Sequence, residues 1–259
     1  MDQIKLKDMQ QAVPDSTDAE RQRFLAVHKG DSQAAAFQLK KYLSWRQKHC
    51  DRASTNLDPW VHATQLAAQT SGEEGRKQSA QNDVDALKLP CILFLQEHEQ
   101  STGKTTVEKK KYLHLLPARI DTKLADSSIY ALALAIYIDR ALDRNSTETA
   151  TLVIDVRSGH GWANIKATHL LPFIQSTARL LCDLYPRRLE RCIVFPMPTV
   201  AKVLWIAAKP FLGTDTREKV CLVFGQAGRD DNAPKKLSEY LDEKLIANLE
   251  ETRMSCFVR

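Results

Sequence analysis

The sequence predicts an α/β protein in which an N-terminal helical lobe packs on a lobe built around a mostly parallel β-sheet with crossover helices. Three observations predict it. Helical periodicity with cap residues fills roughly the first 60 residues. Short β-branched or apolar runs recur from Leu89 onward. Longer helical stretches separate those runs, and strands joined through helices lie parallel because the crossover returns the chain to the same end of the sheet.

The elements follow in order. Pro14-Asp15-Ser16-Thr17 is a helix-start signal ahead of a charged stretch that reaches Lys29. Gly30 can end that helix, and Asp31-Ser32 can cap the next. The next helix carries Ala35, Leu39, Tyr42 and Leu43 on one face and ends near Arg46–His49. Residues 69–86 are polar and aperiodic, with Gly72 and Gly75, and read as a linker between a lobe of residues 1–68 and a lobe of residues 87–259. Leu89–Leu95, Thr151–Val156, Arg191–Phe195 and Val220–Phe224 are predicted strands, and a polar stretch, Gln96–Glu108, follows the first. Residues 127–142 are apolar nearly all round, the pattern of a fully buried helix. Residues 162–184 carry Leu170, Phe173, Ile174, Thr177, Leu181 and Leu184 on one stripe, with Pro172 expected to bend the helix.

The stretch after Pro198 is apolar on two sides. Val200, Val203, Leu204, Ala207 and Ala208 make one stripe, and Trp205 and Ile206 fall outside it. Such a helix is either deeply buried or covers something apolar.

Composition excludes several classes. The longest apolar run, Ile129–Ile138, is about half the length a bilayer-spanning helix needs, and Met1–Lys5 contains no apolar stretch of a secretory signal. The net charge of +5 is a weak pointer to an anionic partner, and no nucleic-acid partner is expected. Lys109-Lys110-Lys111 reads as a solvated face or as a contact for anionic lipid.

Catalytic motifs fail on spacing. Gly103-Lys104-Thr105 resembles the end of a phosphate-binding loop, but the glycine required five residues earlier is His98. Arg157-Ser158-Gly159-His160 follows a strand, yet a nucleophile elbow needs glycines where Val156 and His160 stand. Asp155 could pair with a histidine; a loop with a structural aspartate is the simpler reading. The seven histidines show no zinc-like spacing with one another or with cysteine, so no metal is expected.

Two stretches resemble the CRAL-TRIO family of lipid-binding proteins, which includes retinaldehyde-binding and tocopherol-transfer proteins and fungal phosphatidylinositol/phosphatidylcholine transfer proteins of the secretory pathway. Arg23-Phe24-Leu25-Ala26-Val27-His28-Lys29-Gly30-Asp31, with Tyr42-Leu43-Ser44-Trp45-Arg46, is similar to the family's N-terminal signatures. Tyr185-Pro186-Arg187-Arg188, Ile193-Val194-Phe195-Pro196-Met197-Pro198, Lys209-Pro210-Phe211-Leu212, Thr216 and Lys219-Val220 lie on the family's Y-P-E-R, N-x-P, K-P-F-L and T-x-x-K-I pattern without a gap. The resemblance implies an apolar pocket floored by the sheet and closed by a gating helix. The gate and pocket residues would be Val200, Val203, Leu204, Trp205, Ala207, Ala208, Phe211 and Leu212, with Pro198 and Gly213 as hinges. It places His28, Lys29, Arg187 and Lys219 around a lipid head group. Arg187 stands where the family has glutamate, which suits a more anionic head group. Ala150 and Leu152 replace hydroxyl residues used for phosphatidylcholine, and the family's L-P-x-x-x-G-G ending is missing after Leu249.

The resemblance therefore implies a monomeric, cytoplasmic carrier of phospholipid or another hydrophobic ligand. It would touch membranes transiently, catalyse nothing and need no cofactor beyond the bound lipid. The alternative is a protein-interaction scaffold of the same fold, favoured if Met197 and Phe211 narrow the pocket.

The six cysteines avoid C-x-x-C spacing, and several sit in apolar runs, the usage of a reducing compartment. All six are expected to alkylate as free thiols in protein denatured under trapping conditions; a disulfide in that assay contradicts the compartment.

Overall fold

A computed structural model gives the fold and describes residues 3–50, 58–70, 89–101, 107–198 and 202–258. The N-terminal lobe contains α1 (Gln3–Ala12), α2 (Asp18–Val27) and α3 (Ser32–His49). Thr17 starts α2 with a reciprocal cap: its hydroxyl accepts from Glu20 N–H at 3.2 Å, and the Glu20 carboxylate accepts from Thr17 N–H at 2.8 Å. Lys29 and Gly30, with φ of 53° and 86°, turn the chain in the left-handed region. Asp31 then caps α3, accepting from the N–H groups of Gln33 and Ala34 at 3.0 Å. Met9, Phe24, Leu39 and Tyr42 form the core of this lobe and meet Ala135 and Leu184 of the second lobe.

The second lobe follows α4 (Pro59–Thr70) and runs β1 (Leu93–Ser101), β2 (Val107–Leu115), α5 (Ser127–Ala141), β3 (Ala150–Asp155), α6 (Leu171–Leu184), β4 (Leu189–Met197), α7 (Lys202–Ala208), α8 (Thr214–Glu218), β5 (Val220–Phe224) and α9 (Glu243–Ser255). The strand order is β1-β2-β3-β4-β5. β1 and β2 are antiparallel, and each later pairing is parallel.

The sheet has two apolar faces. One carries Leu93, Leu113, Leu115 and Ala150, and it packs under α5 and the start of α6 together with Trp60 and Ala63 of α4. The other carries Tyr112, Val153, Ile193, Phe195 and Val223 beneath Leu237, Leu241, Leu245 and Leu249 of the C-terminal segment. As its composition predicts, α5 is the central buried helix: Tyr130, Ala131, Ala133, Leu134, Ala135, Ile136 and Ile138 are all buried.

Four sequence expectations need amendment. The polar stretch after Leu95 contains most of β1 and the start of β2. The lysine run hides β2, because it breaks the polar–apolar alternation; the structure absorbs it by pairing Lys110 with Glu190 at 3.2 Å and Lys111 with Glu148 at 3.1 Å. Pro172 sits in the first turn of α6, where its missing N–H costs nothing, so it starts the helix and does not bend it. Of the helix expected after Pro198, the described part is regular over Lys202–Ala208 and tightens into a 3₁₀ turn at Lys209–Phe211, and residues 199–201 lie outside the described residues. Most of the linker, residues 71–86, and Gly103-Lys104-Thr105 lie outside the described residues, while Gln69 and Thr70 close α4.

Behind the sheet, a buried ionic cluster joins strand ends to α9. Asp155 accepts from the Arg157 side chain at Nε (3.0 Å) and Nη2 (2.6 Å), and Arg157 also reaches Glu250 at 2.7 Å. Arg253 donates to the carbonyls of Ser158 and Arg229, both at 2.6 Å. Asp155 is thus a structural residue of the 157–160 loop. Its nearest histidine, His114, stands 4.0 Å away and is fully buried.

Burial first, and Arg157 second, push the His114 pKa from 6.5 down to about 3, so this ring is neutral in the folded protein. The unfolded chain takes up the proton near pH 6.5 and the folded chain does not, so the stability held above pH 6.5 is lost as pH falls from there toward 3. His114→Leu should flatten that acid limb in a series of thermal melts. An unchanged slope between pH 6.5 and pH 4 would show that other groups set it.

Candidate functional site

The site begins with an imbalance between the two faces of the sheet. Behind the sheet Val153, Ile193, Phe195 and Val223 are at most 2% exposed. On the α6 face of the same strands, Leu152, Ile154, Val194 and Leu222 are only partly buried. Strand register puts these four on one surface, since Leu152 and Ile154 alternate along β3, Ile154 pairs with Val194, and Val194 pairs with Leu222. Leu152 and Ile154 fringe the α5–α6 core, and Val194 and Leu222 extend the apolar floor beyond it. α6 stands on one flank of this floor, and α7 packs on α6. An apolar floor with partial cover can hold an apolar chain, each CH₂ withdrawn from water contributing about 0.8 kcal/mol.

α7 turns a different face inward from the one the stripe implied. Ala208 is buried and Trp205 half-buried, whereas Val203 is 72% exposed, Ile206 68% exposed and Ala207 exposed. A helix that is apolar on two sides offers more than one candidate inner side; contact with α6 makes the choice. Phe211 is 45% exposed and Leu212 half-buried. Val200 and the side chain of Leu204 lie outside the described residues. Pro198 ends β4, and a Cβ on Gly213 would meet nothing within 4 Å.

The four head-group candidates occupy turns at one end of the fold. Arg187 lies between α6 and β4, Lys219 between α8 and β5, and His28 and Lys29 between α2 and α3. Parallel pairing places Val220, the first residue of β5, beside Cys192, the fourth of β4, and Cys192 N–H donates to the Lys219 carbonyl at 2.9 Å. The α2–α3 turn is stitched to the same region. His28 Nε2 contacts the Gln38 carbonyl oxygen, and the Gln38 amide donates to the Asp183 carbonyl at 2.9 Å. The adjacent Cys182 is exposed, and its thiol lies near Gly213 and Thr216. Lys29 and Arg187 are exposed, both at positive φ (53° and 59°), and Lys219 is held by Asp215 at 2.9 Å.

Gln38 and Asp215 escaped the sequence analysis. Neither belongs to a spaced motif, and both matter only through partners that folding brings near. Among the described residues, no group of three or more His, Cys, Asp or Glu side chains is arranged to hold a metal ion, and no helix is long and apolar enough to cross a membrane.

The structure is similar to the crystal structure of Sfh5, with a TM-score of 0.53 and 15% sequence identity over 86% of this chain and 67% of that one. At this identity the likeness bears on the fold, a sheet lobe with a helical lobe. The sequence model of the CRAL/TRIO domain matches residues 100–249, more than half of the chain and the whole of β2 to β5. The chain belongs to the CRAL/TRIO domain family, a family that binds hydrophobic lipid ligands.

Proposed function

We propose that this protein carries a phospholipid with its acyl chains on the partly covered floor of β3–β5 and exchanges it at membrane surfaces, without catalysing a reaction. The observation that carries this reading is the apolar surface of Leu152, Ile154, Val194 and Leu222, left incompletely covered beside a helix that itself exposes Val203 and Ile206. A closed core would fill the first surface, and an ordinary surface helix would be polar at the second.

Lys29, Arg187 and Lys219, with His28, support an anionic head group, phosphatidylinositol or a more highly charged relative. Arg187 in place of the family's glutamate adds to the positive potential. α7 serves as the gate, swinging on Pro198 and Gly213 and meeting the membrane through its exposed apolar face. The reading requires no cofactor and one copy of the chain, and it places the protein in the cytoplasm and transiently at membranes. The scaffold alternative needs a plugged pocket, and the 45% exposure of Phe211 argues against that residue as the plug.

Native mass spectrometry of the purified protein tests the reading directly. A bound mass of phospholipid size, released on denaturation, is expected. Protein that stays empty after incubation with mixed lipid vesicles would favour the scaffold.

Lys219→Ala should weaken uptake of anionic phospholipid tenfold or more, since a hydrogen bond to a charged group contributes about 1.5–3 kcal/mol; equal uptake removes Lys219 from the site. Ile206→Asp should slow vesicle-to-vesicle exchange while melting normally. Its side chain is 68% exposed when closed, and a carboxylate resists entry into the bilayer surface. Trp205→Asp, at a half-buried position, should lower the melting temperature as well. Exchange by Ile206→Asp at the wild-type rate would place the membrane contact elsewhere.

A further inference from the structure

α3 is 18 residues long, and no Asp or Glu occurs between Ser32 and Cys50. Its inner face is fully committed. Ala35, Ala36, Leu39 and Tyr42 are buried, and Arg46 pairs with Asp139 at 3.0 Å. The outer face carries Phe37, Lys40, Lys41 and Lys48, all exposed. Lysine ion pairs elsewhere join Lys110 to Glu190, Lys111 to Glu148 and Lys219 to Asp215; among the described residues none forms at Lys40, Lys41 or Lys48. Phe37 is 63% exposed, with the Lys41 ammonium 4.3 Å from its ring centroid. Phe37 and Lys40 also line a shallow groove of about 460 Å³ against α1, where Asp8 is the one carboxylate among its walls.

A run of lysines alone would be a solvated face. Here a mostly exposed aromatic ring stands among them, on a helix with no acidic residue. That combination fits the surface of an anionic bilayer. The ring settles at head-group level, the lysine stems lie along it, and each ammonium gains from the negative surface potential. Position supports the same partner. Gln38, next to Phe37, donates to the Asp183 carbonyl near the end of α6, the helix on which α7 packs.

We infer that the outer face of α3, centred on Phe37, Lys40, Lys41 and Lys48, is a membrane-docking surface for anionic lipid, separate from the gate helix. It holds the protein on the bilayer while α7 moves. The orienting role rests on the carrier reading; the docking itself does not.

Co-sedimentation of the full chain with vesicles of phosphatidylcholine, alone or with phosphatidylserine, tests it. Wild-type protein should partition onto the phosphatidylserine vesicles and come off as salt is raised. Each lysine near the surface is expected to contribute about fivefold, so the combined Lys40→Gln, Lys41→Gln and Lys48→Gln variant should lose on the order of a hundredfold and most of the salt dependence. Phe37→Ser should lose several-fold with the salt dependence kept. All four side chains are exposed, so melting temperature and the lipid load seen by mass spectrometry should not change. Equal partition of the triple variant overturns the inference. So does failure of wild-type protein to bind these vesicles, which would turn the face toward an acidic protein. Lysine-dependent partition by protein that carries no lipid would support the docking surface and defeat the carrier reading.

Discussion

A five-stranded sheet with apolar side chains on both faces must be covered on both, and here the two covers are unequal. The cover on one side is complete. Leu237, Leu241, Leu245 and Leu249 close over Val153, Ile193, Phe195 and Val223, and the edge of that contact is sealed by Asp155, Arg157, Glu250 and Arg253. On the other side α5 and the first turns of α6 cover β1, β2 and the start of β3, while the floor toward β5 keeps partial access to solvent. Leaving that surface wet forgoes hydrophobic stabilisation of about 25 cal/mol per Å². An apolar ligand would recover it, and the complete cover behind the sheet would keep the floor rigid when that ligand left.

Buried charge sets geometry in this fold more than it adds stability, since desolvation offsets much of the attraction within a buried pair. Glu20, fully buried, receives two hydrogen bonds of 2.9 Å from Arg144 and so fixes the N-terminal lobe to the loop ahead of β3. Arg188 donates to the carbonyls of Asp143 and Glu148 in the same loop. Its neighbour Arg187 is exposed at positive φ, so of two adjacent arginines one is a buried anchor and the other faces solvent. Of the turns that carry the head-group candidates, Arg188 anchors the one with Arg187, Gln38 ties the one with His28 to Asp183, and Asp215 pairs with Lys219.

The segment after β4 is built differently from its surroundings. α7 is short, it contacts α6 along one edge, and its outer side is apolar. A helix held by one edge can leave its seat at small cost compared with α5, which is buried nearly all round. The same exposed side chains that are a liability in water would become a contact at the bilayer surface in the proposed carrier. The basic, aromatic face of α3 has this two-sided character too, with a packed inner surface and an outer one that water does not fully satisfy.

Much of the architecture was legible in the sequence. Thr17 and Asp31 announced the helix starts, the apolar run of 127–142 announced a central helix, and strand–helix alternation announced the parallel sheet. These signals are local, because caps and periodicity act within a few residues. The family was legible as well, in short motifs around Arg23 and from Tyr185 to Val220. β2 was not, because three consecutive lysines mask its alternation, and only Glu190 of β4 and Glu148 of the loop ahead of β3 pair with two of them there. The inner face of α7 and the stitching of His28 through Gln38 to Asp183 were beyond the sequence for a related reason. A helix that is apolar on two sides does not say which side packs, and a glutamine outside any motif does not say which distant carbonyl it will meet. α6, in the same lobe, decides the first, and a contact between residues 145 apart in the chain decides the second, which exists only after the two lobes have closed on each other.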